Sequence, residues 1–314
     1  MLATRQTGRL VVAYAIATLL FGIIPGSHAA GQTRSGMEAG TITLGVIAPV
    51  NQKEIEVHFR DFMRYVARKM AVSPALAGSV VVAPTQSGLA KLLAERKVDF
   101  YFESPYPTYL INNIYGAGKL LLGRWKGGMA DYYALIFTKR NSAIRRLEDL
   151  RGHIIAFEDP GSTSGHFLPK FFLSRLGFKL SEKSRIEPNV SADEVSYVFA
   201  YSQDKLVDWV LTQRVAAGAF SNDDYSNLVA RKKSEMRVLA ETERLPRHLV
   251  SVRKDLDPEL VKRLETILLS MNDNPEGRRI LNRTDATTKF DSLTGGESAM
   301  RQKLLDTFYS SEKK

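Results

Sequence analysis

The chain has 314 residues, 44 Lys+Arg against 34 Asp+Glu for a net charge of +10, 44% hydrophobic residues and no cysteine. That length favours two domains or lobes over one core, and the ordinary apolar and charged content excludes a wholly disordered or fibrous chain. Disulfides, thiolate metal sites and cysteine nucleophiles are excluded, and a basic excess without a run of about five like charges reads as solvated surface, not as a nucleic-acid arm.

The first 30 residues read as a secretory signal peptide. Arg5 and Arg9 form a positive start, Leu10 to Ile24 is uninterrupted and apolar, and Pro25-Gly26 breaks it ahead of the small-residue site Ser27-His28-Ala29. A spanning helix needs about 20 apolar residues, so this run is too short to anchor. Cleavage is expected near Ala29 or Ala30, and with no cysteine there the product is not a lipoprotein. Gly31 to Gly40 reads as a disordered lead-in.

The mature chain then alternates strands and helices. Thr41 to Ile47 is a strand stopped by Pro49, and the spacing of Phe59, Phe62, Met63, Val66, Ala67 and Met70 predicts one buried helix face. Ser79 to Ala83 is a strand, Pro84 to Gly88 a turn, Leu89 to Arg96 a helix, and Val98 to Phe102 a strand. Ser104-Pro105 follows as cap and first residue of a helix. Tyr132 to Thr138 reads as a long strand and Arg145 to Leu150 as a short helix. His153 to Phe157, Val195 to Tyr201 and Val215 to Phe220 are strands; Phe167 to Leu176, closed by Gly177, and Lys205 to Thr212 are helices. Strands at Met236 to Thr242 and Leu249 to Arg253 precede helices at Pro258 to Ser270 and Ala299 to Phe308. This rhythm predicts βαβ units and mostly parallel sheets in two α/β halves, with a ligand cleft between them.

The most informative stretch is Asp159-Pro160-Gly161-Ser162-Thr163-Ser164-Gly165-His166, between a strand and a helix. Glycines admit close backbone approach, and a helix start offers outward N–H groups and partial positive charge to an oxyanion. The same residues also make an ordinary helix cap. The spacing is not that of a P-loop. Ser104, Pro105 and Tyr106 stand at the carboxyl end of a strand, where open sheets bind ligands. Tyr106 either closes over a ligand or packs the first helical turn. Thr85, Gln86 and Ser87 hold the corresponding place after the preceding strand and double as turn residues. Asp204, in Ser202-Gln203-Asp204, answers either a cationic ligand group or its own helix dipole. The candidate ligand-binding residues are thus Ser162, Thr163, Ser164, His166, Tyr106, Ser104, Asp204 and Ser87. Neither HExxH nor GxSxG occurs, which argues against a zinc hydrolase or a serine hydrolase, and no cofactor or metal is expected.

With these residues in view the chain resembles the phosphate/phosphite/phosphonate-type substrate-binding proteins of ABC importers, which are type II periplasmic binding proteins. The resembling segments are TITLGVIAP (Thr41–Pro49), KVDFYFESPYP (Lys97–Pro107), YYALIFTKRNSAIRRLEDLRGHIIAFEDPGSTSGHFLP (Tyr132–Pro169), SQDKLVDWVLTQRVAAGAF (Ser202–Phe220) and LPRHLVSVRKDL (Leu245–Leu256). The resemblance implies an oxyanion held by Ser162, Thr163 and Ser164. It departs at Tyr106-Pro107, bulkier than the family's small residues, and at Gln203, where the family often has histidine. It also implies two lobes: 41–131 with 250–314, and 139–245, joined by hinge strands near 132–138 and 249–253. Partners follow: a small anion and an inner-membrane permease, with a monomeric chain free of nucleic acid. A periplasmic sensing subunit of a membrane receptor is the alternative, and an enzyme on the same fold the third possibility.

Overall fold

The structure is a computed structural model that describes residues 40–309 apart from 49, 72–75 and 188. The expected signal segment with its cleavage site, the lead-in over 31–39 and the role of Pro49 lie outside the described residues.

Fourteen strands and ten α-helices are assigned among the described residues. The first half runs β1 (Thr41–Ile47), α1 (Gln52–Met70), β2 (Ala77–Ala83), α2 (Gln86–Ala94), β3 (Phe100–Glu103), α3 (Pro105–Tyr109) and β4 (Gly118–Lys126). A two-residue β5 (Asp131–Tyr132) leads to β6 (Ala134–Lys139), β7 (His153–Phe157), α4 (Leu168–Arg175), β8 (Lys179–Glu182), β9 (Glu194–Phe199), α5 (Gln203–Leu211), β10 (Ala217–Ser221), α6 (Asn222–Asn227), α7 (Ala230–Ser234) and β11 (Met236–Glu241). A second short strand, β12 (Leu245–Pro246), returns to β13 (His248–Arg253), α8 (Pro258–Ser270), α9 (Pro275–Arg283), β14 (Thr287–Ser292) and α10 (Gly296–Phe308).

Two six-stranded sheets result, ordered β14-β4-β13-β3-β1-β2 and β11-β6-β10-β7-β9-β8. Each is mixed. β1, β2 and β3 pair in parallel, as βαβ connections require, but β13 enters between β3 and β4 antiparallel to both, and β14 is antiparallel to β4. In the second sheet β7, β8, β9 and β10 are parallel while β6 and β11 run against their neighbours. The expectation of mostly parallel sheets therefore fits the βαβ parts and gives way where the chain returns from one sheet to the other.

The buried face of α1 carries all six residues that its spacing singles out, plus Tyr65. Phe62 and Phe102 meet edge to face, with Phe290 beside both, in a core closed by Leu264, Leu268 and Leu281 of α8 and α9. Gly78 lets α1 lie directly on β2, because a Cβ there would strike the Met63 carbonyl.

The strands expected as hinges, near 132–138 and 249–253, lie largely within the two sheets. Ala134–Lys139 pairs with β10 and β11 inside the second sheet, and His248–Arg253 sits between β3 and β4 inside the first. Both are apolar because both are interior strands. The chain passes between the sheets on the ribbon formed by β5 and β12, where Tyr132 faces Leu245 and Asp131 faces Pro246. Beside that ribbon Tyr106, Tyr109, Leu168, Phe171, Met300, Leu304 and Phe308 form one apolar cluster with residues from both sheets' helices.

Candidate functional site

A cleft of about 380 Å³ opens between the two sheets. Its walls come from the carboxyl ends of strands, the position that open α/β sheets reserve for ligands. From the first sheet come Ile47, Pro84, Gln86, Glu103 and Ser104; from the second, Glu158, Asp159, Gly161 to Ser164, Ser221 and Asp224; from the ribbon region, Tyr132, Arg247 and His248.

The loop after β7 is built around its own hydrogen bonds. Asp159 Oδ1 accepts from the Gly161 N–H at 2.8 Å, an Asx-type turn. Ser162 is the cap of the π turn Thr163–Phe167: its Oγ accepts from the Gly165 N–H and donates to Glu158 Oε2, each at 3.0 Å. Thr163 and Ser164 carry the first-turn N–H groups that a helix start leaves without an internal acceptor. Gly165 is obligatory here: an added Cβ would fall 2.5 to 2.8 Å from Glu158 and Ser162 atoms. Gly165→Ala is expected to cost about 1–3 kcal/mol by overpacking, read as a lowered thermal midpoint; an unchanged midpoint would show that the loop has room to spare.

Thr163 also reaches across the cleft. Its Oγ1 accepts from the Tyr106 N–H and donates to Ser104 Oγ, both at 3.0 Å. Ser104 occupies the cap position of α3, yet its hydroxyl does not cap the helix; it is turned to Thr163 instead.

Ser162, Thr163, Ser164 and Ser104 thus line the cleft, and four other candidates do not. Tyr106 donates its backbone N–H to Thr163, while its ring stacks on Phe167 and meets Phe308 edge-on in the apolar cluster. His166 lies behind the loop among Phe157, Phe167, Tyr197 and Phe199, its Nδ1 donating to the Pro160 carbonyl at 3.2 Å. Burial pushes that imidazole down to about 4, so it holds the loop as a neutral donor. Asp204 is 91% exposed and pairs with Lys232 on the surface at the start of α5, where it complements the helix dipole. Ser87 is exposed and shares a hydrogen bond with Thr85; the neighbouring Gln86 lines the cleft.

What the serine and threonine pattern does not reveal is a set of carboxylates. Glu103, Glu158, Asp159 and Asp224 all border the cleft. Glu103 keeps an edge open, accepts the Ser104 N–H at 3.2 Å, and is pushed up to about 7 because burial outweighs that N–H and the charges of Lys126 and Arg124. Burial likewise raises Glu158, against the Ser162 hydroxyl that favours its charged form. Asp224 is committed to a reciprocal cap with Ser221 at the start of α6. Arg247 stands opposite them. Its guanidinium lies 4.7 Å over the Tyr132 ring and bonds Asp223 at 3.3 Å. Every one of these residues follows a strand end or flanks the ribbon, so position was the available signal.

The model of the family described as the periplasmic substrate-binding protein of phosphonate ABC transporters matches residues 44–295. The chain is 24% identical over 272 residues to the phosphate-import protein PhnD of Mycolicibacterium smegmatis, covering 84% of this chain and 82% of that one. Among solved structures it is similar to XAC2383 from Xanthomonas citri bound to ATP, with a TM-score of 0.79, 26% identity and coverage of 87% and 98%. PhnD1 from Prochlorococcus marinus, in complex with methylphosphonate, shares the fold at a TM-score of 0.62 with 14% identity over 87% of this chain and 99% of that one. The two-lobed type II fold and a family match over most of the chain agree: this chain belongs to the phosphonate family of periplasmic substrate-binding proteins that serve ABC transporters.

Proposed function

We propose that the cleft captures a small phosphonate- or phosphate-class anion that brings hydrogen-bond donors of its own, and delivers it to an ABC importer without chemical change. The observation that carries this reading is the pairing of two opposed features in one cleft. The Ser162–Ser164 turn offers N–H groups to an oxyanion, while Glu103, Glu158, Asp159 and Asp224 can only accept when ionised. A ligand with an acidic P–OH or an ammonium group satisfies both sets; a bare sulfate leaves carboxylates facing its lone pairs. Phosphate import by the mycobacterial relative favours delivery to an importer over a receptor-coupled sensor.

Calorimetry with methylphosphonate, 2-aminoethylphosphonate, phosphate, phosphite, ATP and sulfate tests this. At least one of the first four is expected to bind at least about tenfold more tightly than sulfate, the size of one charged hydrogen bond gained or lost. Sulfate binding as tightly as the best of them would refute the reading. ATP is included because the Xanthomonas structure holds it.

The chain is proposed to act as a monomer in the periplasm, without nucleic acid, after removal of residues 1–30. The support is the order of charged start, apolar run and small-residue site. Among the described residues no helix is long and apolar enough to cross a membrane. Intact mass of periplasmic material should place the new amino terminus at Ala30 or Gly31; a mass that retains residues 1–29 would overturn the cleavage.

A further inference from the structure

His248 opens β13 beside Glu103, since the next residue, Leu249, pairs with Glu103 across the strands. Its ring is buried in the cleft wall, with Nδ1 3.0 Å from Nη1 of Arg124. Arginine has five donors and no acceptor, so Nδ1 must be the bare, accepting nitrogen. The hydrogen of the neutral ring is then on Nε2, the nitrogen left for the cleft.

Arg124 has no freedom to offer another arrangement. Nε donates to Thr287 Oγ1 at 2.8 Å, and Nη2 donates to the Thr284 and Asp285 carbonyls at 3.2 and 3.1 Å and to Asp285 Oδ2 at 3.0 Å. The guanidinium lies 4.4 Å over the Phe102 ring, and the side chain is 1% exposed. The clamp is built on a strained turn: Asp285 and Ala286 have φ of 49° and 52°, left-handed values that non-glycine residues disfavour. His58 helps to hold it by accepting the Asp285 N–H at 2.9 Å.

We propose that Arg124 is a positioning residue, which fixes His248 as a neutral Nε2–H donor in the cleft wall, facing the bound anion. This rests on the cleft being the ligand site proposed above. The charged groups around the ring are Arg124, Lys126 and Arg247, with Glu103 on the adjoining strand and Asp285 behind Arg124. Burial and the three cations hold the imidazole well below its usual range, so the donor persists through mildly acidic pH.

Nitrogen-15 NMR of histidine-labelled protein decides the tautomer, with His248→Phe supplying the assignment. The expected spectrum shows His248 as neutral Nε2–H with no titration between about pH 5 and 8. An Nδ1–H ring, or titration near pH 6.5, would overturn the proposal. In Arg124→Met the ring should become a mixture of tautomers and begin to titrate; an unchanged spectrum in the folded variant would remove the role of Arg124. Should Arg124→Met fail to fold, the wild-type spectrum still decides which nitrogen carries the hydrogen. With phosphate and 2-aminoethylphosphonate as probes, His248→Phe should bind at least about tenfold more weakly, while His248→Gln, whose amide can place an N–H near Nε2, should stay within about threefold. Equal binding by His248→Phe would mean that the donor does not face the ligand. If wild type binds neither probe, nor methylphosphonate or phosphite, the ligand class fails on its own, and the spectrum still decides the tautomer.

Discussion

Replacing Ser162 by alanine together with Thr163 by valine is expected to weaken ligand binding by at least about tenfold, because the two hydroxyls hold in place the turn whose N–H groups face the anion, and each hydrogen bond to a charged group contributes roughly 1.5–3 kcal/mol. The two hydroxyls act differently. Ser162 Oγ caps the turn and bonds Glu158, so its loss also costs the fold about 1 kcal/mol as a missing N-cap. Thr163 Oγ1 joins the two walls through Ser104 and the Tyr106 N–H. Binding should be measured by calorimetry and stability by urea unfolding on the same samples. A double variant that loses the cap's worth of stability but binds like wild type would reduce this turn to a structural cap.

Glu103→Gln should stabilise the free protein at alkaline pH and leave it unchanged near pH 4.5. The sign follows from the raised carboxyl: its ordinary value is 4.5 and burial lifts it to about 7, so the fold holds a proton that the unfolded chain has released. The favourable contribution is complete below pH 4.5 and is lost as pH rises through 7. Allowing for the edge that Glu103 keeps open to the cleft, the ionised carboxylate costs about 2–3 kcal/mol at pH 8. Urea unfolding of wild type and variant at pH 4.5 and 8 measures the difference directly; a gap that stays constant with pH would show that Glu103 is solvated like a surface carboxylate.

The parts legible in the sequence are those where one residue type has one use. The apolar face of α1 is fixed by spacing, and Ser162 at a strand-to-helix junction can hardly avoid a capping role. Tyr106 shows the limit: a place after β3 locates a residue near the cleft but does not say whether its ring or its N–H points there. Carboxylates were harder still, because Glu158 and Asp224 look like turn and helix-start residues and become cleft groups only when two distant strand ends meet. β4 escaped attention because GKLLLGRWK carries Arg124, a charge that reads as surface until Thr287, His248 and Asp285 surround it. In α9, PEGRRILNR buries only Gly277 and Leu281 and so has almost no apolar stripe to recognise.

The bond between Thr163 and Ser104, backed by the Tyr106–Phe167 stack, has a kinetic meaning for transport. Parting the two walls would break both and expose aromatic surface, so their contact has a source of stability that owes nothing to cargo. A solute can enter only the open fraction, and its apparent affinity is reduced in proportion to that fraction.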